Sequence, residues 1–535
     1  MQEKNEKVNT KESIVKSSLK MSVVTTISRI FGLVRDQIQA ILLGTSFIAD
    51  AFAIGFILPN LLRRLFAEGN MVASFIPVFT DLEKNKGIEA SKVFFRAVFT
   101  LLSLILIFIV FIGIIISPLL VKLLYKSASY EAYSLAVDLS RIMFPYLLFI
   151  SLAALMQGVL NVKGYYSISA ASPILLNIVI ISLALIFYFL LPNVFNNMSY
   201  VFAIAVLIGG MVQFAYQIPF VNRLGFNFLP NFNFRDSYVI KMIKLFAPGI
   251  FGASIYQINL LVSTAFAGAI GEGRVSAVTF ANRIHEFVLG VFAVSIATVM
   301  LPTLSKLIAN EKYDEAKDTL SYSLRLVALI TIPATFGFMI LGREIVAMIF
   351  QYGAFSEKST LLVSNALRYL SISLFFVASY RIVVQSFYAM KDMKTPVYIA
   401  FFAFIINAIS NYLCVYIFHF DIIGISISSV LANIISFIIL YILLMKRMNM
   451  AFSLNRGKIN TIKTLLSSII MAMAVYSSRF YIFRDSLNST RIIFIIKVFV
   501  VIFIGVIIYV ISNVILKNED FISIFNLFKK RIVKK

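Results

Sequence analysis

Cysteine, histidine and tryptophan are almost missing from this 535-residue chain, which holds one Cys (Cys414), two His (His285 and His419) and no Trp. A single thiol excludes an internal disulfide framework and any multi-thiolate zinc or iron–sulfur site, and two histidines cannot build an all-His metal centre. Charge is scarce as well: 14% of the residues are charged, against about 25% in a soluble domain. That deficit, with 60% hydrophobic residues and a mean hydropathy of +0.92, argues against a string of soluble domains and for one continuous bundle of membrane helices. A β-barrel is excluded too. Barrel strands alternate apolar and polar over about ten residues, whereas 101–120 and 174–191 are apolar on every face.

Acidic residues are the scarcer sign, 25 against 48 Lys and Arg, for a net charge of +23. In a soluble protein that excess would suggest nucleic acid; here its location decides. At about 20 apolar residues per crossing, fourteen spans are expected near 21–43, 48–80, 97–117, 133–160, 165–190, 200–221, 245–269, 276–305, 319–341, 360–390, 396–418, 423–445, 464–480 and 492–516. An even number places both termini on one side, and 30 of the 48 basic residues fall on the termini and the loops of that side. The positive-inside rule makes it the cytoplasm. The basic excess is thus a topology signal and an attraction to anionic phospholipid headgroups, so no nucleic-acid partner is expected. Residues 1–20 mix Lys with Glu and lead into a span carrying Arg29, Arg35 and Asp36, unlike a cleaved export signal.

The halves echo each other. FIPVFTDL around Pro77 returns as MLPTLSKL around Pro302, and Arg141, Gln157 and Lys163 return as Arg368, Gln385 and Lys391, all at offsets of 225 to 228. Six spans followed by six in the same orientation is the parallel-repeat plan of many transporters, with substrate held near mid-membrane between the halves. The expected fold is therefore an all-α polytopic membrane protein of about fourteen helices. Its segments are a cytoplasmic N-terminal stretch at 1–20, an N-lobe at 21–222, a C-lobe at 223–446, two further helices at 447–516 and a basic cytoplasmic tail at 517–535.

A charge at a helix centre costs about 2.5–3.5 kcal/mol even on lenient scales, so intramembrane ions need partners, water or a function. The first two spans carry Arg29, Arg35, Asp36, Asp50, Arg63, Arg64 and Glu68, and the eighth carries Arg283 and Glu286. Arg29, Gly32 and Asp36 share a helical face, with Ser28 beside Arg29, while Arg35 is turned away from them. Arg64 can pair with Glu68 at i,i+4, and Arg283 with Glu286 at i,i+3. Arginines in excess of local acids suit a polyanion, because guanidinium offers phosphate a planar fork. Arg141, Arg325, Arg368 and Arg381, near span ends, read instead as side chains that snorkel to headgroups or belong to a buried ion network. The second span has 33 residues and would reach about 50 Å, so it must tilt, bend or break, with Pro59, Gly69 and Pro77 as candidates. Asn407 and Asn411 share a face at i,i+4 and fit either a monovalent-cation site or interhelical hydrogen bonds. His285, between Arg283 and Glu286, is either a pH sensor or a packed histidine. Gly268, Gly271 and Gly273 mark a turn rather than a phosphate loop, since no GK[ST] follows.

SRIFGLVRD at 28–36, AD at 49–50, PNLLRRLFAEG at 59–69, ANRIHEFVLGVFAVSIATVMLPTLSK at 281–306, YGAF at 352–355 and MKDMKTP at 390–396 together resemble the MurJ (MviN) family of bacterial lipid II flippases. The resemblance implies a transporter, not an enzyme, of the MOP exporter superfamily: two six-helix lobes about a cationic cavity, and a lipid groove made with the last two helices. It implies a place in the bacterial plasma membrane and, as cargo, lipid II: undecaprenyl-pyrophosphate-linked MurNAc-pentapeptide-GlcNAc. No catalytic residue, metal or cofactor is implied, though coupling to the membrane potential or to a monovalent cation is open, and other cell-wall synthesis proteins are candidate partners. Ser28, Arg29, Arg35, Asn60, Arg63, Arg64 and Arg283 would bind substrate. Asp36, Asp50, Glu68 and Glu286 would act as gating ion-pair partners, and Ser276 carries over less securely. The chain departs from the family pattern at Asn282 and His285, which weakens any proton or ion role for the eighth span.

Four rival readings make different demands. A drug-cation antiporter of the same superfamily wants unpaired intramembrane carboxylates, a flippase for other lipid-linked oligosaccharides fits the charge but not PNLLRRLFAEG, and a polyprenyl-phosphate enzyme wants clustered magnesium ligands. A substrate-free scaffold would tolerate neutralising the arginines.

Overall fold

The computed structural model describes residues 24, 26–66, 70–192, 194, 197–448, 456–484 and 490–523, and it is helical with no strand among them. Among the described residues its main helices are α1 (26–43), α2 (Phe47–Phe66), α3 (Asn70–Leu124), α4 (Tyr130–Met143), α5 (Tyr146–Val162), α6 (Tyr166–Phe189), α7 (Met198–Arg223), α8 (Ser237–Ile270), α9 (Arg274–Ala309), α10 (Tyr313–Phe350), α11 (Glu357–Ser371), α12 (Leu374–Ala389), α13 (Lys394–Tyr412), which runs on into a π-helical turn at Leu413–Ile417, α14 (Ile422–Arg447), α15 (Arg456–Ile482) and α16 (Arg491–Ile515). Every expected span falls on one or two of them. Among the described residues nine spans are long and apolar enough to cross a membrane, ten if α11 and α12 count as one bent span. α1 and α2 fall short of that test because each carries three charges within about five turns.

The chain divides into two compact units, Met1–Val275 and Ser276–Lys535. The first unit therefore includes α8, beyond the six spans expected for an N-lobe ending at 222. Packing explains it: Lys241 on α8 bonds Asp81 on α3 at 2.8 Å, and the Phe66 and Phe246 rings meet at 6.2 Å. α5 is the buried axis of this unit, with Leu155, Met156, Val159 and Leu160 inside a cluster that also takes Phe75, Phe79, Phe95 and Phe226. Lipid tails are as apolar as these side chains, so close packing rather than escape from water holds them. Gly55 shows the effect, for a Cβ there would stand 3.0 Å from the Ser140 backbone nitrogen of α4.

Of the three candidate breakers in the long second span, Pro59 and Pro77 lie inside α2 and α3, and Gly69, with Glu68, lies outside the described residues. The polar stretch at 81–96, expected as a loop, is helical on both sides of a kink at Gly87, so the 55 residues of α3 are two helices joined there rather than two spans separated by a loop. Gly87 bends the chain at φ 81°, a left-handed conformation that glycine adopts without a Cβ clash.

The repeat is legible in how the fourth and tenth spans are built. Ser129 caps α4 through Ala132 N and Ser356 caps α11 through Ser359 N, each at 3.2 Å. Arg141 and Arg368 occupy the last turns, and both spans then break, at 144–145 and at 372–373, the second by 49°. A shared cap, shared basic last turn and shared break at one offset are hard to reach by chance likeness of apolar sequence.

In the second unit α15 and α16 are fastened to α10 at both ends. Arg479 Nε donates to Glu344 at 2.7 Å and Arg491 donates to the carbonyls of Ala347, Met348 and Gln351, closing the open C-terminal end of α10. At the other end Arg325 meets Asp520 at 2.8 Å, and fully buried Asn518 donates to Thr464 Oγ1 at 3.0 Å and Asn513 Oδ1 at 2.8 Å. The first residues of the expected tail are thus packed structure, because these polar side chains find their partners on α10, α15 and the end of α16.

Within the first unit the end of α8 touches the end of α3 with no room to spare. Gly268 O accepts from Ser127 N and Oγ, and a Cβ on Gly268 would lie 2.2 Å from the Leu124 carbonyl oxygen. Gly268→Ala is expected to cost at least about 1–3 kcal/mol, read as a lowered unfolding temperature in detergent. An unchanged temperature would mean that the two helix ends can separate freely.

Candidate functional site

In the first unit the site grows from α1. Its charged residues fall on more than one face, and α6 supplies the polar side chain that the α1 sequence does not foreshadow. Arg35 donates Nε and Nη2 to Asp36 Oδ1 at 3.1 and 2.7 Å, and Nη1 to Asn177 Oδ1 at 3.1 Å. Asn177 Nδ2 turns back to the Ser28 carbonyl at 3.4 Å. The guanidinium is thereby held by two acceptors of different strength, a carboxylate and an amide, in a half-buried setting. Arg29 is half-buried and has no hydrogen bond or ion pair among the described residues. Asn177 escaped the sequence reading because an Asn in an apolar span most often bonds its own helix; its only signal was being polar in the run 174–191.

On α2, Arg63 Nε donates to Asn60 Oδ1 at 3.0 Å, one turn back, and Arg64 Nε is buried with no hydrogen-bond partner. The expected Arg64–Glu68 pair lies outside the described residues. Asp50 sits at the opposite end of the same helix, about 20 Å from these arginines along the axis. It is 0% exposed, and its Oδ2 accepts from Gly273 N at 2.6 Å and Tyr125 OH at 3.4 Å. Gly273 has φ 80°, and a Cβ there would meet Thr45 O at 2.5 Å. Asp50 therefore ties the α8–α9 turn to the start of α2. Tyr125 and Gly273 were not foreseen as its partners, since they lie 75 and 223 residues away in sequence.

The second unit carries the rest. Glu286 does not pair with Arg283 on its own helix: both of its oxygens accept from Nη2 of Arg381 on α12, at 3.1 and 3.2 Å. Of the two readings open for Arg381, snorkelling or an ion network, the structure gives an ion pair across helices. The neighbouring His285 is buried, with Nε2 3.3 Å from Ser373 Oγ, and that hydroxyl is already donated to Leu370 O at 2.7 Å. The ring nitrogen must then be the donor, and it grips α12 at its break from α11. Ser276 is buried and Arg283 half-buried. Asn407 and Asn411 are buried on α13, where Asn411 Nδ2 donates to Asn407 O at 2.9 Å and Asn411 Oδ1 has no hydrogen-bond partner. Among the described residues no three of His, Cys, Asp and Glu gather as metal ligands.

The Glu286–Arg381 pair invites a charge swap. Its side chains are 47% and 28% exposed, so its worth to stability is small, about 0.2–1 kcal/mol. Arg381→Glu is expected to lower activity by setting two carboxylates face to face, and adding Glu286→Arg is expected to restore most of it, read by complementation. A double variant no better than the single one would dissociate the pair from function.

A family model described as "Lipid II flippase MurJ" matches residues 39–503. A probable lipid II flippase MurJ of Buchnera aphidicola (subsp. Acyrthosiphon pisum) is 33% identical over 470 residues, covering 87% of this chain and 90% of that protein. Its counterpart in Treponema pallidum is 36% identical over 412 residues, covering 75% and 76%. A solved structure of lipid II flippase MurJ in an inward closed conformation superposes with a TM-score of 0.77 at 27% identity, over 93% of this chain and 99% of that one. An inward-facing multidrug resistance MATE transporter of the MOP superfamily shares the fold alone, with a TM-score of 0.67 at 14% identity over 81% of this chain and 98% of that one. With a family model matching residues 39–503 and relatives 33% and 36% identical over 87% and 75% of its length, the chain belongs to the MurJ family of lipid II flippases.

Proposed function

We propose that this multi-pass membrane protein is a lipid II flippase, carrying the undecaprenyl-pyrophosphate-linked precursor from the cytoplasmic to the outer leaflet by alternating access, with both termini in the cytoplasm. The observation that carries the reading is the Arg35–Asp36–Asn177 arrangement: a guanidinium already oriented and already neutralised by a carboxylate. Pyrophosphate entering beside Arg29 takes Arg35 from Asp36, and Asp36 takes it back when cargo leaves. Exchanging one anion for another keeps the net gain small, as a carrier requires, because a site that held its cargo equally in both states would move nothing. Arg63, Arg64 and Arg283 add positive charge for the pyrophosphate, while Ser28 and Asn60 offer neutral polar contacts to the sugars. Glu68 and Glu286 act as the alternate partners of released arginines.

The empty carrier is positively charged, so a membrane potential biases its return by about 2.3 kcal/mol per charge per 100 mV. Asn407 and Asn411 are the candidate seat for a coupling cation, with the unpartnered Asn411 oxygen as its donor. Anionic phospholipids and other cell-wall synthesis proteins are the partners such a carrier would meet.

The test is depletion of the protein in its own cells, followed by labelling lipid II from outside with a reagent that does not cross the membrane. Lipid II that accumulates yet escapes the label, with labelling restored by the wild-type protein, supports the reading. Unchanged labelling in cells with no other flippase would overturn it and turn attention to other polyprenyl-linked sugars.

A further inference from the structure

The segment joining α7 to α8, residues 224–236, is no slack linker. Phe226 is buried, with its ring 5.7 Å from Phe79 and 5.5 Å from Phe95, and the Phe228 ring lies tilted 5.0 Å from that of Phe99. Asn231 then fastens the loop to α3, its backbone N donating to Thr100 Oγ1 at 3.0 Å and its Nδ2 to Val93 O at 3.3 Å. Between and beyond these anchors two large apolar side chains turn outward: Leu229 is 60% exposed and Phe232 68% exposed. A loop held this firmly does not expose them for want of a place to bury.

Two further observations say what covers them. The Thr100 that holds Asn231 lies one turn from Leu104, where the exposed apolar face of α3 begins and runs on through Ile107, Phe108 and Phe111. The outward face of the loop is therefore continuous with a lipid-facing helix. Arg223 and Arg235 flank the loop, both exposed and neither in an ion pair with an acid among the described residues. Apolar tips set between unpaired cations match the boundary of a bilayer, with acyl chains below and anionic headgroups above.

We infer that residues 224–236 form an interfacial anchor, with Leu229 and Phe232 inserted at the acyl boundary of an anionic leaflet and Arg223 and Arg235 on its phosphates. This is a lipid-binding surface distinct from the arginines assigned to cargo. It holds the junction between the two halves of the repeat at a fixed depth while the rest of the carrier moves.

The chain has no Trp, so Phe232→Trp in the full-length protein gives a single indole to follow. In lipid nanodiscs that indole is expected to be quenched by lipids brominated in the upper acyl chain, and more strongly by brominated phosphatidylglycerol than by brominated phosphatidylcholine at equal mole fraction. That preference is expected to fall about fivefold for each of Arg223→Gln and Arg235→Gln, the factor one basic residue contributes at an anionic surface. Phe108→Trp on α3 serves as the control for lipid contact. Quenching by aqueous iodide, with none by brominated lipid while the Phe108→Trp control is quenched, would overturn the inference and leave the face open to a soluble protein. Equal quenching by the two lipids would overturn the assignment of the arginines to anionic headgroups.

Discussion

Arg35→Ala is expected to abolish cell-wall support while the protein is still made at normal abundance. The substitution removes three donated hydrogen bonds, two to Asp36 and one to Asn177. Hydrogen bonds to charged groups are worth about 1.5–3 kcal/mol, so losing the fork that pyrophosphate would occupy predicts a fall in transport of at least tenfold. Arg35→Lys keeps the charge but not the planar fork and should be intermediate. Asn177→Ala, which leaves the arginine its carboxylate, should be milder than either. Complementation after depletion, with the amount of each variant checked by immunoblot, reads the series; a fully active and normally abundant Arg35→Ala protein would remove Arg35 from the transport site.

Asp50→Ala should fail for a different reason, by loss of folded protein. It strips the acceptor from Gly273 N and Tyr125 OH at a fully buried position, and each buried donor left unmade costs about 1–3 kcal/mol. Asp50→Asn retains an oxygen of the same shape for Gly273 and should keep most of the stability. The measurement is the unfolding temperature of purified protein together with its abundance in the membrane. If Asp50→Ala were as stable as wild type yet inactive, Asp50 would belong to gating rather than to the clamp at the α8–α9 turn. The contrast with Arg35 is one of position: both are charges inside spans, but only Asp50 is sealed from every approach.

Charge inside an apolar span is expensive wherever the span ends up, so the residues that carry it stand out before any fold is known. For that reason Arg29, Arg35, Arg63 and Arg283 were legible as candidates, and so were the helical class and the repeat at its constant offset. Their partners were not legible in the same way. Glu286 lies one turn from Arg283, and local spacing pairs them; the structure gives Glu286 to Arg381, because helix packing brings α12 closer to that carboxylate than the arginine on its own helix. Asn177 signalled only a polar residue in an apolar run and Gly273 only a turn, and Tyr125 gave no local signal of its partner.

What the sequence determined by itself is thus the inventory: membrane helices, their approximate limits, two related halves, and a surplus of arginine that asks for an anion. Only the tertiary structure decided which arginine holds which acid, that Asp50 is a clamp, that α8 packs with the first unit, and that the residues after α16 lock onto α10. Hydropathy and charge cost are properties of a residue in a slab of lipid, and they survive any arrangement of the helices. Ion pairs and close backbone contacts depend on distances of a few ångströms between segments up to hundreds of residues apart, and those distances exist only once the helices have packed.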